Sequence, residues 1–238
     1  MSVSTRVKSL RDPRSEHGFT LIEMLVGTML GLVVTGALFA ILDVAIHQSS
    51  RIQDRASADQ RGRIALENVM QLVQSSCVAP NFTPIEPAST GTVLRLVSQS
   101  GAKASLTEVT LHELKLTESK LVDVMYASEG PAPTWKFPAK ATSERTLVKG
   151  IAQAEPKAGE TIPMFRYYAY TGGGTLSAES LKTPLSEEGA SQAAGLTVTF
   201  MAYPETGNIA NNRAYEVTDS AVLRFDPGSL TSAATPCA

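Results

Sequence analysis

Hydrophobic and polar positions fall into three stretches with different periods. From Phe19 to Leu42 the pattern is apolar throughout: 24 residues, with Glu23 the one charged side chain. At about 1.5 Å per residue this makes about 36 Å of helix, enough to cross a bilayer core of about 30 Å. Between Asp43 and Ser76 the pattern opens into three- and four-residue spacings, carried by Ile52, Ala56, Leu66, Val69, Met70 and Val73. That spacing predicts an amphipathic helix. The stretch holds no proline and a single glycine, Gly62, where the apolar stripe thins among Asp59, Arg61 and Arg63. Beyond it the period shortens to two. Alternation and short apolar, β-branched runs such as 121–126 predict strands over 92–98, 107–116, 121–126, 164–170, 195–203 and 220–225.

The first two stretches join into one predicted helix from Phe19 to Ser76, about 87 Å long. Cys77, Pro80 and Pro84 mark its end. The strands then predict an antiparallel sheet lying on the amphipathic half of the helix, so the fold class is α+β. Pro-, Ala-, Ser- and Gly-rich segments at 127–143, 152–163 and 204–214 read as connecting loops. The domain reading is residues 1–18 as a polar leader, 19–42 as a membrane or fibre-core helix, 43–78 as its amphipathic continuation and 79–238 as a β-rich head.

Charge sharpens the picture. The leader carries Arg6, Lys8, Arg11 and Arg14 against Asp12 and Glu16, a net +2; the whole chain is −2, so the part from Phe19 onward is −4. A basic flank stays cytoplasmic, which places the head on the far side of the membrane. No basic balance supports nucleic-acid binding by charge alone. Glu23 is costly where it stands, about 2.5 to 3.5 kcal/mol for a charged acid at the centre of a membrane helix and less toward an end. Such an acid calls for a partner. Cleavage between Gly18 and Phe19 makes one, because it places a free amine at Phe19 and Glu23 fifth in the product. Within one helix the amine points along the axis and the carboxylate sideways, so the two meet between staggered neighbouring helices. A secretory signal peptide instead has its cut beyond the apolar region. Small residues within 37–45 leave that cut conceivable, but it gives Glu23 no role.

The run Gly18-Phe19-Thr20-Leu21-Ile22-Glu23-Met24-Leu25-Val26 resembles the processing signal of type IV prepilins and type II secretion pseudopilins. The resemblance implies a pilin-like fold, a prepilin peptidase that cuts after Gly18 and methylates Phe19, and a role for Glu23 in assembly. It also implies other pilins or pseudopilins as partners, with an assembly platform and its ATPase acting indirectly. The cell location implied is the bacterial cytoplasmic membrane, single-pass, and then a fibre. The order of a Phe-Arg-Tyr-Tyr, a Leu-Thr-Val-Thr-Phe and an Ala-Val-Leu-Arg-Phe strand is similar to minor pilins and pseudopilins with large heads. In this family the subunit assigned to the very tip commonly lacks the acid that Glu23 represents, which argues against that role.

Other candidates carry less. Cys77 and Cys237 are the two cysteines; an even count in an exported domain favours a disulfide, and two unrelated thiols are the alternative. His17, His47 and His112 are scattered without ligand spacing, so no metal or other cofactor is expected. Asp43 reads as the outer edge of the span. Gly27, Gly31 and Gly36 allow close helix approach or loosen the helix. Gly172-Gly173-Gly174 lacks the Lys-Ser/Thr ending of a phosphate loop and reads as a hairpin turn. Phe165, Tyr167, Tyr168 and Tyr170 read as core and strand pairing rather than a platform for single-stranded nucleic acid. Trp135 reads equally as a surface anchor or a core plug. No hydrolase or metalloprotease motif is present, so no enzyme is expected. The expectation is a minor type IV pilin-like subunit. Its rivals are a pseudopilin of a secretion system and a DNA-uptake or adhesive pilin that binds through head loops.

Overall fold

The computed structural model describes residues 18–78, 81–99, 109–130, 134–157, 159–172, 174–204, 214–223 and 237. Most of the leader, Gly173, Phe225 and nearly all of the expected 204–214 loop lie outside the described residues. The chain divides into two compact units, Met1–Ser49 and Ser50–Ala238.

Helix α1 runs from Leu21 to Gln74, as the merged apolar and amphipathic patterns require. Through the first unit its large apolar side chains are exposed, Leu21 at 84% and Leu32 at 74% among them. The helix is long and apolar enough to cross a membrane. Thr28 and Thr35 turn their hydroxyls onto the helix's own carbonyls, Leu25 O at 2.9 Å and Gly31 O at 2.7 Å. No polar side-chain group of theirs then needs water in a lipid setting.

In the second unit the buried stripe of α1 is Ala58, Gly62, Ala65, Leu66, Val69, Met70 and Val73. This corrects the expected stripe at its start, since Ile52 and Ala56 are exposed. Gly62 is no gap in the stripe. A Cβ placed on it would lie 2.5 Å from Val217 Cγ2 and 3.2 Å from Ala202 Cβ, so the missing side chain is what admits the sheet.

Strands β1 (Val93–Ser98), β2 (Thr110–Thr117), β3 (Lys120–Ala127) and β4 (Ser143–Lys149) form an antiparallel sheet in that order. Further strands follow: β5 (Ile151–Ala152), β6 (Ala154–Lys157), β7 (Glu160–Ile162) and β8 (Phe165–Ala169). Then come a short helix α2 (Glu187–Gln192), β9 (Ala193–Ala202) and β10 (Tyr215–Val222). β9 is central to a second sheet, with β10 on one side and β5 and β8 on the other; β6 and β7 make a separate hairpin. The expected single sheet is therefore two. Gly150, at φ +73°, turns the chain from the first into the second, a conformation that costs glycine little. The last expected strand begins earlier than 220, at Tyr215.

Both sheets and α1 share one core. Val69, Met70 and Val73 of the helix cluster with Leu94, Leu114 and Leu121 of the first sheet and with Phe165, Leu196 and Phe200 of the second. Alternation sends Val97 and Leu111, cross-strand partners, to the other face of the first sheet. There they join Cys77, Val109, Trp135 and Cys237, with Phe82 and Phe137 packed alongside. Trp135, 1% exposed, is thus a core plug.

Candidate functional site

The segment expected to be processed sits at the start of α1. Gly18 is exposed, and nothing lies within 4 Å of where its Cβ would be. Phe19 is 78% exposed. Thr20 stands just outside the helix, and its Oγ1 accepts the Glu23 backbone N–H at 3.3 Å. Thr20-Leu21-Ile22-Glu23 is therefore a capping box in sequence, with the Thr-to-backbone half made. Glu23 lies in the first turn, where the helix dipole favours negative charge. No side-chain partner engages its carboxylate among the described residues. Gly18, Phe19 and Glu23 thus share one exposed end of one apolar helix.

Cys77 and Cys237 form a disulfide, with Cα atoms 5.2 Å apart and a sequence separation of 160. The Cys237 N–H also donates to Val78 O at 2.8 Å. Together these pin residue 237 beside the end of α1. Closing so long a loop is worth about 5 kcal/mol in the chain-entropy account.

The aromatic group divides by strand alternation. Phe165 and Tyr167 are buried, while Tyr168 and Tyr170 are half-buried. The Tyr167 hydroxyl donates toward Thr90 O at 3.0 Å and Val93 O at 3.2 Å, and burial raises its pKa. Tyr170 bridges to Leu176 around the glycine-rich turn, where Gly174 N–H donates to Thr171 O at 2.9 Å.

The sequence reading missed one polar constellation. Asp123 of β3 is fully buried, and two side chains satisfy it: His112 Nδ1 lies 2.9 Å from Oδ1, and Arg145 Nε donates to Oδ2 at 3.0 Å. His112 and Arg145 come from the flanking strands β2 and β4, so the carboxylate ties three strands together. Asp123 stands opposite Leu114 on one side and Arg145 on the other, with Leu114 and Leu121 of the same face in the shared core. The sequence signal was an acid inside the apolar run 121–126, the same anomaly that singled out Glu23.

Residues 13–39 match the family model described as the prokaryotic N-terminal methylation motif. The match covers 27 of the 238 residues and supports a prepilin- or pseudopilin-type N-terminal segment. It implies processing by prepilin peptidase and assembly with other pilins, and it fits a single-pass membrane anchor. No curated protein matches the chain.

Proposed function

We infer that this prepilin-class chain is the precursor of a minor type IV pilin-like subunit, a structural part rather than an enzyme. In this reading, prepilin peptidase cuts after Gly18 and methylates the amine of Phe19. The mature subunit then leaves the membrane for a fibre, driven by an external ATPase. Its apolar helix packs against its neighbours, and Glu23 neutralises a neighbour's Phe19 amine. The low dielectric around the helices strengthens that attraction, while leaving either charge alone there is costly. The observation that carries the reading is Glu23. It is a carboxylate without a side-chain partner among the described residues, one turn from the proposed cut, on a helix whose apolar surface is exposed through the first unit. The large two-sheet head supports a minor subunit over one repeated in a close-packed shell.

Mass spectrometry of the membrane-extracted protein tests the processing: the expected N-terminus is Phe19 carrying one methyl group. Glu23→Ala tests the pairing. The expected variant inserts in the membrane and keeps its head folded, but enters fibres at a small fraction of the wild-type level. Wild-type incorporation of Glu23→Ala sinks the pairing.

A further inference from the structure

The second sheet turns one face to the shared core, through Phe165 and Tyr167 of β8, Leu196, Val198 and Phe200 of β9, and Val217 of β10. Alternation sends Arg166, Thr197, Thr199, Thr218 and Ser220 to the opposite face. Register sets these five side by side: Arg166 opposite Thr197, Thr197 opposite Ser220, and Thr199 opposite Thr218. The hydroxyls pair across the strands, Thr197 with Ser220 at 2.8 Å and Thr199 with Thr218 at 2.8 Å. The Arg166 guanidinium lies over this ladder, and its Nη2 donates to Thr199 Oγ1 at 3.5 Å. Its Nε is buried with no hydrogen-bond partner.

Counting donors gives this patch its chemistry. A guanidinium carries five N–H donors and no acceptor, and it stays charged. Here one donor is used, at a long distance, and Arg166 has no carboxylate partner among the described residues. Each hydroxyl pair spends one of its two hydrogens on the internal bond and leaves the other free; Thr199 is buried, so in its pair the hydrogen open to a ligand is that of Thr218. The patch therefore has a surplus of donors around a fixed positive charge. Two acids stand nearby, and neither forms an ion pair with Arg166 among the described residues. Asp219 turns its Oδ1 to the Ser220 N–H at 2.8 Å, and Glu216 is placed at the Met201 end of the face.

We propose that Arg166, with the Thr197–Ser220 and Thr199–Thr218 hydroxyl pairs, forms a binding site for a tetrahedral oxyanion, a sulfate or phosphate group. Two anion oxygens take the outer edge of the guanidinium fork, and the others accept the free hydroxyl hydrogens, a charge-assisted arrangement stronger than neutral hydrogen bonds. The site lies on the strand face of the head and is independent of the processing segment.

The test uses the full chain, labelled with nitrogen-15, in detergent micelles. Inorganic sulfate and inorganic phosphate are titrated separately against chloride at matched ionic strength. The signals read are Arg166 Nε–H and the amides of Thr197, Thr199, Thr218 and Ser220. The expected result is a saturable shift of this group with sulfate, phosphate or both, and none with chloride; the tighter anion names the ester class. Arg166→Gln should abolish saturation, and Arg166→Lys, which loses the fork, should weaken binding about tenfold. Shifts that grow linearly and match chloride overturn the proposal, as does saturation that persists in Arg166→Gln. Ser220→Ala leaves the guanidinium in place and should weaken binding several-fold; unchanged affinity in that variant also overturns it.

Discussion

A Cβ placed on Gly27, Gly31 or Gly36, in the unit ending at Ser49, meets no atom within 4 Å; on Gly62, in the unit beginning at Ser50, it lands 2.5 Å from a side-chain carbon of β10. All four glycines belong to the same helix. The acids differ in the same way. Glu23 has no side-chain partner among the described residues, whereas Asp123 is fully buried with His112 and Arg145 bound to it. Residue types that look anomalous in the sequence are thus completed from within the chain in one unit and left open in the other. The open set is what the proposed assembly subunit needs, because an environment or neighbour must supply what its own fold does not. The closed set is what an independently stable head needs.

The sharpest way to break this comparison is to remove the closed acid. Asp123→Ala leaves His112 and Arg145 without their shared carboxylate and opens a gap beside Leu114 and Leu121. Breaking a buried pair by removing one partner costs about 3–5 kcal/mol. Urea unfolding of the detergent-solubilised chain reports it directly, because Trp135 is the one tryptophan and is buried in the head. Glu23→Ala, measured the same way, should leave the midpoint unchanged. If Asp123→Ala also shifts stability by less than about 1 kcal/mol, the carboxylate is not the tie between β2, β3 and β4.

That asymmetry also explains what was legible in the sequence. The segment proposed for processing is contiguous: Gly18, Phe19 and Glu23 stand within six positions and can be seen together. The Asp123 site draws on residues 11 and 22 positions away, on separate strands, and only the register of the sheet joins them. β4 was missed for a related reason. It is an edge strand whose Ser143, Glu144, Arg145 and Thr146 are exposed, so alternation leaves no apolar trace there. The β6–β7 hairpin contains Pro156, a residue tolerated at sheet edges but one that reads as a loop. The helix, most core strands and the stripe from Leu66 to Val73 were legible because burial on one face imposes a period, but the start of the helix stripe was not. Small residues, Ala58 and Gly62, make the contact there, and hydrophobicity alone does not mark them.

Gly62→Ala tests that last point with a smaller effect. In an exposed helix the change gains about 1 kcal/mol from propensity. At Gly62 the new methyl meets the branched Cβ and Cγ2 of Val217 and the Cβ of Ala202, none of which is the end of a long flexible chain. Overpacking of this kind costs about 1–3 kcal/mol, so the variant should be destabilised on balance. Gly27→Ala and Gly31→Ala should leave head unfolding unchanged. A more stable Gly62→Ala chain removes the close approach of α1 to β10 from the account.

The smallest effect belongs to an acid between the two extremes. Glu86 is partly buried; Thr83 donates its N–H to Oε1 at 2.9 Å, and Arg95 is nearby. Burial raises its pKa, and the Thr83 hydrogen bond and the Arg95 charge only partly oppose that. The folded chain therefore holds this proton more tightly than the unfolded chain. The stability linked to it is fully present below the ordinary carboxylate range and is lost as pH rises through the raised value. Glu86→Gln keeps a carbonyl oxygen for the Thr83 N–H but cannot ionise. The variant should match the wild type at about pH 3 and exceed it slightly at about pH 7 in the same unfolding experiment. An advantage confined to the acidic end would mean that Glu86 is stabilised as a carboxylate, and would move it from the intermediate position to the side of Asp123, with its charge completed by the fold.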